Sequence, residues 1–133
     1  MRVAIDTNIL FSSLYFPGKM VDRMLRAAVE KYTIVLTKTI ADEFKGVVLE
    51  DASENAPDAD SFIASFPFEY IYTPEEVKPG VFQIRDPKDY KILYSVIVSE
   101  AEIFITGDKD FMDVHIEGLE ICTPRDFMLK YLS

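Results

Sequence analysis

The sequence predicts an α/β fold with a mostly parallel sheet, and two observations support that prediction. Short apolar runs typical of strands alternate along the chain with segments whose apolar residues recur at helical spacing. Two of these runs end next to an aspartate. Asp6 directly follows residues 3–5, and Asp108 follows residues 103–106 after one glycine. Ligands bind outside the carboxyl ends of the strands in such sheets, so both aspartates lie where a site is expected.

Length and composition predict one domain over residues 1–133. The chain has 133 residues and is 49% hydrophobic, which is enough for a sizeable core. Its net charge of −9 argues against a protein that coats nucleic acid non-specifically, but it leaves room for a local basic groove. The single cysteine, Cys122, permits no internal disulfide, and no apolar run has the length of a membrane helix. We therefore expect a cytoplasmic protein without a leader or a membrane segment.

The pattern along the chain places the individual elements. Strands are expected at residues 3–5, 33–36, 69–72, 103–106 and 119–121. Helices are expected over residues 9–15, 21–31, 38–49, 60–66 and 87–101, and after a Thr123 cap at the end of the chain. Loops are expected at residues 50–58 and 73–80, and a short turn or helix at 108–112.

Two further acidic residues lie on the predicted helices, and helical geometry indicates which way they face. Glu43 falls at the edge of an apolar stripe, next to Val47, whereas Asp42 falls on the opposite side and faces water. Asp89 shares a face with Leu93, one turn from the start of its helix. Glu43 and Asp89 are therefore expected to point towards the same sheet edge as Asp6 and Asp108.

Carboxylates that converge in this way need a cation. Two unit charges about 4 Å apart interact by about 4 kcal/mol at an effective dielectric constant of 20, so an unpartnered cluster raises its own pKa values. Oxygen ligands favour Mg²⁺ or Mn²⁺ over Zn²⁺, and the sequence offers no cluster of cysteine and histidine. Such an ion can polarise a phosphoryl oxygen and activate an attacking water.

Each aspartate also has a simpler explanation. Asp6 and Asp108 can be helix caps after strands, and Asp86 with Asp89 matches a cap followed by an acid in the first helical turn. Asp110 can be a solvated turn residue. Glu43 is the hardest to explain without a partner, because an acid on a buried stripe costs free energy.

Four motifs in order resemble those of the PIN domain family, and the resemblance covers nearly the whole chain. They are Asp6-Thr-Asn, Glu43 within Thr-Ile-Ala-Asp-Glu-Phe, Asp-Pro-Lys-Asp at 86–89 and Thr-Gly-Asp-Lys-Asp-Phe at 106–111. The closing Ile-Cys-Thr-Pro-Arg-Asp-Phe at 121–127 is similar to the end of VapC-like PIN proteins, which are grouped with toxin–antitoxin toxins. The resemblance implies a three-layer α/β/α sandwich around a mostly parallel sheet of about five strands.

The same resemblance implies a ribonuclease that depends on Mg²⁺ or Mn²⁺ and hydrolyses RNA phosphodiesters. Its catalytic and metal-binding residues would be Asp6, Glu43, Asp89 and Asp108. Asp86 or Asp110 would be an optional fifth acid, and Asn8 and Thr106 would orient the metal ligands. The implied partners are an RNA substrate, an antitoxin protein and a second copy of the chain in a homodimer. Basic residues flank the acidic motifs and could contact phosphates: Lys38, Lys45, Arg85, Lys88, Lys91 and Lys109.

Two other functions remain open from the residues. A non-enzymatic binding or scaffold protein with this fold is compatible with the net charge of −9. An α/β phosphatase with Asp6 as nucleophile is a weaker alternative, because haloacid-dehalogenase-like enzymes have an acid where this chain has Asn8. The distinguishing observation is whether Glu43 faces Asp6 in the folded protein.

Overall fold

The centre of the fold is a parallel sheet with the strand order β3-β2-β1-β4-β5. The structure is a computed structural model that describes residues 1–51, 53 and 56–133. Within them, the sheet has five strands: β1 (Arg2–Ile5), β2 (Thr33–Thr37), β3 (Glu69–Ile71), β4 (Ile103–Ile105) and β5 (Glu120–Cys122). Every neighbouring pair is parallel. The predicted α/β class and the five-stranded parallel sheet are therefore confirmed.

Both faces of the sheet are covered. Val3, Ala4 and Ile5 of the central strand are all fully buried. Because consecutive side chains of a strand point to opposite faces, burial of all three requires packing on both sides of the sheet. Helices provide it, as the predicted sandwich requires: α1 (Thr7–Tyr15), α2 (Met20–Lys31), α3 (Lys38–Leu49), α4 (Ala59–Ala64), α5 (Pro87–Val98) and α6 (Pro124–Tyr131).

Among the described residues, every α-helix except α2 begins after an aspartate or threonine whose side chain caps it, and the main differences from prediction lie at element ends. Helix α1 begins at Thr7, two residues before the predicted start, because Asp6 caps it. Helix α5 ends at Val98 instead of residue 101, since Glu100 has a left-handed φ of 61° and turns the chain towards β4. The predicted loop at 50–58 includes residues 52, 54 and 55, which lie outside the described residues. No helix in the described part of the chain is long and apolar enough to traverse a bilayer.

Asp22 closes the turn between α1 and α2. Its side chain is buried and accepts hydrogen bonds from Ser13 Oγ at 2.6 Å, from the Gly18 amide at 2.8 Å and from Arg26 Nε at 3.1 Å. Burial raises the pKa of this carboxyl, but the hydrogen bonds and the nearby Arg26 charge outweigh burial and lower it below its ordinary value. The ionised carboxylate therefore fastens both helices to the turn.

We predict that Asp22→Ala lowers the free energy of unfolding at neutral pH by about 2–3 kcal/mol, because it leaves the buried Ser13 hydroxyl without its acceptor. A folded pKa below the unfolded value means that the contribution of Asp22 is present above about pH 4 and is lost as the pH falls. Urea unfolding across that range should show the difference shrinking in acid. The exposed Glu30→Ala on the same helix is the control, and equal stability of the two variants would contradict the role of Asp22.

Candidate functional site

A cleft of about 270 Å³ opens beyond the carboxyl ends of β1 and β4, and acidic side chains dominate its polar lining. The four predicted acids Asp6, Glu43, Asp89 and Asp108 all line it. They come from four separate segments: the end of β1, helix α3, helix α5 and the turn after β4. The other lining residues are Thr7, Asn8, Phe11, Ser12, Val47, Ile92 and Phe111. The fold therefore brings the sequence-predicted quartet together in one place.

Asp6 is both a helix cap and a wall of the cleft. It is 5% exposed, and its Oδ1 accepts a hydrogen bond from the Thr7 amide at 2.7 Å. Burial raises the pKa of this carboxyl to about 6, and the charges of Glu43 and Asp108 add to the effect, while hydrogen bonds from Thr106 and Thr7 oppose it. Capping explains why an acid follows β1, but it does not explain why other acids face it.

Thr106 and Asn8 link the two strand-end acids. The buried Thr106 hydroxyl donates to Asp6 Oδ2 at 2.6 Å and accepts from the Asp108 amide at 3.0 Å. The Asn8 side chain donates to Asp6 Oδ2 at 3.3 Å and accepts from the Gly107 amide at 3.1 Å. These bonds join the start of α1 to the turn after β4, so the positions of Asp6 and Asp108 are set together.

Asp89, Asp108 and Asp110 form the tightest acidic group in the described part of the chain. One carboxylate oxygen from each lies within 4.8 Å of the other two, a spacing that could hold a metal ion. Asp108 caps a short 3₁₀ helix, Lys109–Phe111, by accepting from the Asp110 amide at 2.9 Å. The pKa of Asp89 is raised to about 6. Burial is the largest cause, and the negative charges of the nearby acids add to it: Asp108, Asp86, Asp110 and Glu43. Asp110 itself is exposed, as a turn residue is expected to be, and it lies beside two acids of the quartet.

The neighbours Asp42 and Glu43 face opposite ways, as their helical positions predict. Glu43 is half-buried and lines the cleft, whereas Asp42 is exposed and forms an ion pair with Lys38 at 2.6 Å. The Glu43 charge contributes to the raised pKa values of both Asp6 and Asp89, so it acts on the same site. Because Glu43 is half-buried among other acids, a cation is the partner that suits its carboxylate.

Asp86 and two residues absent from the sequence prediction complete the surroundings. Asp86 is exposed, caps α5 and accepts from the Lys88 amide at 2.9 Å. With Asp113 it lines a depression that adjoins the cleft and shares Asp89 with it. Thr7 lines the cleft, and its buried hydroxyl has no hydrogen-bond partner among the described residues. The proximity of Asp113 and the burial of Thr7 depend on tertiary packing, so no local motif indicates them.

The donor set of the cleft fits a hard divalent cation. Its charged groups are all carboxylates, and neither histidine nor cysteine is among the residues that line it. Oxygen ligands suit Mg²⁺ and Mn²⁺ better than Zn²⁺. The pKa values of Asp6 and Asp89 are raised first by burial and further by the neighbouring negative charges. A cation would relieve this repulsion.

The raised pKa of Asp89 predicts a pH-dependent gain in stability for Asp89→Asn in the metal-free protein. A folded pKa above the unfolded value means that Asp89 costs no stability below about pH 4 and an increasing amount up to about pH 6. Above that pH we expect Asp89→Asn to be more stable than the native chain by about 1–2 kcal/mol, after allowance for solvent screening.

Urea unfolding in EDTA at about pH 4 and pH 7.5 measures this difference, and excess Mg²⁺ should reduce it. The exposed Glu30→Gln is a control that removes one negative charge away from the cleft. A variant that is equally or less stable than the native chain at the higher pH would contradict a raised pKa of Asp89.

Comparison with known proteins places the fold and the family. A chain in the crystal structure of VapBC2 from Rickettsia felis, bound to a DNA fragment from their promoter, matches with a TM-score of 0.68. The match covers 92% of this chain and 98% of that chain at 18% sequence identity, so it supports the fold alone. A search of curated protein sequences found no match.

The PIN_3 family profile, described as a PIN domain, matches residues 2–110. That range includes all four acids of the predicted quartet and also Asp110. The match spans most of the chain, and the chain therefore belongs to the PIN domain family, whose members are generally nucleases.

Proposed function

We propose that this protein is a divalent-metal-dependent ribonuclease that hydrolyses RNA phosphodiesters. The observation that carries the proposal is the convergence of Asp6, Glu43, Asp89 and Asp108 in one cleft. Capping accounts for Asp6 and Asp108 separately, but not for a half-buried glutamate from α3 in the same cleft. The family match, which carries a general association with nuclease activity, supports this function over a scaffold role.

The four acids would hold Mg²⁺ or Mn²⁺, with Asp110 as the fifth acid in preference to Asp86. Asp110 belongs to the compact group with Asp89 and Asp108, whereas Asp86 lies in the adjoining depression and is engaged as a helix cap. Bound there, the ion would polarise a phosphoryl oxygen of the RNA and activate the attacking water.

The residues around the acids contribute orientation and proton control. Thr106 and Asn8 hold the Asp6 carboxylate by its Oδ2, which limits its rotation before an ion arrives. Near pH 6 the Asp6 and Asp89 carboxyls carry protons part of the time, so ion binding releases protons from them. Phe11, Val47 and Ile92 add apolar side chains to the lining of the cleft.

The hydrogen bonds of Asp6 disfavour the phosphatase alternative. A carboxylate nucleophile needs an oxygen free to attack phosphorus. In this protein Oδ1 accepts from the Thr7 amide, and Oδ2 accepts from both Thr106 and Asn8. This arrangement suits a fixed ligand better than a nucleophile.

We also propose that the chain is the toxin component of a toxin–antitoxin pair, that it acts in the cytoplasm on RNA and that it forms a homodimer. The closing strand and helix, β5 and α6, have the order expected from the VapC-like resemblance. The fold likeness to a chain of VapBC2 supports a protein partner, because that chain was found in a complex.

Substitution of each quartet acid should abolish RNA cleavage. We expect Asp6→Asn, Glu43→Gln, Asp89→Asn and Asp108→Asn each to lower the cleavage rate by at least about 100-fold, because each removes a charged metal ligand. Cleavage of a labelled RNA in Mg²⁺ or Mn²⁺ measures the effect, and EDTA should stop the reaction. Asp42→Asn is the matched control, since Asp42 is adjacent to Glu43 and faces away from the cleft.

Calorimetric titration of Mg²⁺ or Mn²⁺ tests the site independently of substrate. Binding should disappear in Asp6→Asn, weaken about 10- to 100-fold in Thr106→Val, and weaken more in Asp110→Asn than in Asp86→Asn. A folded protein that binds no ion and cleaves no RNA would contradict the nuclease proposal and favour the scaffold function.

One variant, Asp108→Asn, serves to test both the toxin proposal and the homodimer proposal. We expect induction of the native chain to arrest the growth of a bacterial host, because RNA is cut, while Asp108→Asn permits growth. Light scattering on purified Asp108→Asn should give twice the chain mass of 15.2 kDa. Growth arrest by the inactive variant would contradict the toxin mechanism, and a mass of one chain would contradict the homodimer.

A further inference from the structure

Asp89 differs from the two strand-end acids of the quartet in how its carboxylate is held. Asp6 accepts hydrogen bonds from Thr106 and Asn8, and Asp108 caps the short helix that follows it. None of the hydrogen bonds among the described residues reaches the Asp89 carboxylate, and burial and the charges of neighbouring acids raise its pKa. The position of Asp89 therefore depends on the helix that carries it.

Asp89 lies in the first turn of α5, where a helix is least stable. The amides of a first turn have no partner within the helix, and helix ends fray. In this turn Asp86 accepts a hydrogen bond from the Lys88 amide, and Pro87 has no amide to donate. Residues 86–88 are also exposed, so little packing holds them. A contact from outside the helix is needed to keep this turn in place.

Tyr90, the residue after Asp89, provides such a contact with the loop that precedes α5. Its hydroxyl donates a hydrogen bond to the Lys78 carbonyl and accepts one from the Val81 amide at 3.2 Å. Its ring stacks on the Phe82 ring with 4.3 Å between centroids and 19° between planes. The start of α5 is thereby attached to the loop by two hydrogen bonds and a ring stack.

The loop that Tyr90 holds is long, and few other hydrogen bonds attach it. It covers residues 72–86, between β3 and α5, and contains no helix or strand. Loops of about 12–15 residues without secondary structure are uncommon and are usually functional. The Thr73 hydroxyl bonds to α3 and Asp86 caps α5; between them, Tyr90 makes the only side-chain hydrogen bonds to this fully described loop. Because Phe82 packs against the core, the loop gives Tyr90 a fixed support.

We propose that Tyr90 is a positioning residue for the acidic site: by joining the first turn of α5 to the preceding loop, it keeps Asp89 at the cleft. The inference rests on the proposed metal-dependent function and adds a residue to it. Tyr90 does not line the cleft, so it acts through Asp89 and not on an ion. If the turn were released, Asp89 could move away from the other acids, and ion binding would have to restore its position at a cost in affinity.

Calorimetric titration of Mn²⁺ into Tyr90→Phe tests the proposal without RNA. This variant keeps the ring that stacks on Phe82 but loses both hydrogen bonds of the hydroxyl. We expect the affinity to fall by about three- to tenfold, on the scale of one net hydrogen bond, with the same number of ions bound. The matched control is Tyr94→Phe, which removes a hydroxyl from the neighbouring ring on α5 and leaves the two hydrogen bonds in place.

Two further measurements distinguish positioning of Asp89 from a general contribution to stability. In an Asp89→Asn background, titrated at higher Mn²⁺, Tyr90→Phe should cause no additional loss of affinity, because its effect passes through the Asp89 carboxylate. Hydrogen exchange should be faster in Tyr90→Phe at the amides of positions 81 and 90, which bond to the Tyr90 hydroxyl and to the Asp86 carbonyl. Phe82→Leu loosens the same link from the loop side and should lower the Mn²⁺ affinity in the same direction.

The outcomes separate this inference from the proposed function. Equal Mn²⁺ affinity of the native chain and Tyr90→Phe would overturn the role of Tyr90 and leave the metal site intact. An additional loss of affinity when Tyr90→Phe is combined with Asp89→Asn would also overturn it, because Tyr90 would then act by another route. A folded native chain that binds no ion would contradict the proposed function, and the positioning role with it.

Discussion

Repulsion among carboxylates gathered at one edge of a buried sheet is the constraint on which the rest of this structure depends. Asp6, Glu43, Asp89 and Asp108 line one cleft, and Asp110 lies within 4.8 Å of two of them. The pKa values of Asp6 and Asp89 are raised to about 6, first by burial and then by the neighbouring negative charges. A fold that keeps such a group together at the expense of stability is typical of a functional site.

The fold meets this constraint with a rigid frame of hydrogen bonds. Thr106 holds Asp6 with its hydroxyl and accepts from the Asp108 amide, and Asn8 joins Asp6 to Gly107. These hydrogen bonds are made at the ends of β1 and β4, which are neighbours in the sheet and bury Val3, Ala4 and Ile5 and all of Ile103–Ile105. Acids attached to mobile loops could move apart to reduce their repulsion, whereas acids fixed in this way remain together until a cation is available.

The basic residues near the acids differ in whether they form ion pairs. Lys38 and Lys45 are held by Asp42 and Asp60, so they add little to the field beyond α3. Arg85 lines the depression that adjoins the acidic cleft, and Lys91 lines another one together with Lys38 and Asp42. For a polyanionic substrate, the acids need a metal ion, and the approach to them needs cations. The two kinds of surface adjoin along α5, which carries both Asp89 and Lys91.

The sequence by itself determined the class of the fold, the alternation of its elements and the identity of the quartet. Buried parallel strands appear as apolar runs, caps appear as polar residues at helix starts, and helical periodicity separates Glu43 from Asp42. These signals depend on residues close together in the chain, so they can be recognised from the sequence. The end of α5 could not be predicted in the same way, because a glutamate gives no sign in the sequence that it adopts the left-handed conformation found at Glu100.

Only the tertiary structure decided how the quartet acids lie relative to one another and which other acid joins them. Asp86 and Asp110 are equivalent candidates in the sequence, and tertiary packing brings Asp110, which follows Asp108 by two residues, close to Asp89. The cleft itself is likewise a product of segments that are distant in sequence, from Asp6 to Phe111. Distances between such segments depend on how helices pack on the sheet, and no local pattern of residues encodes them.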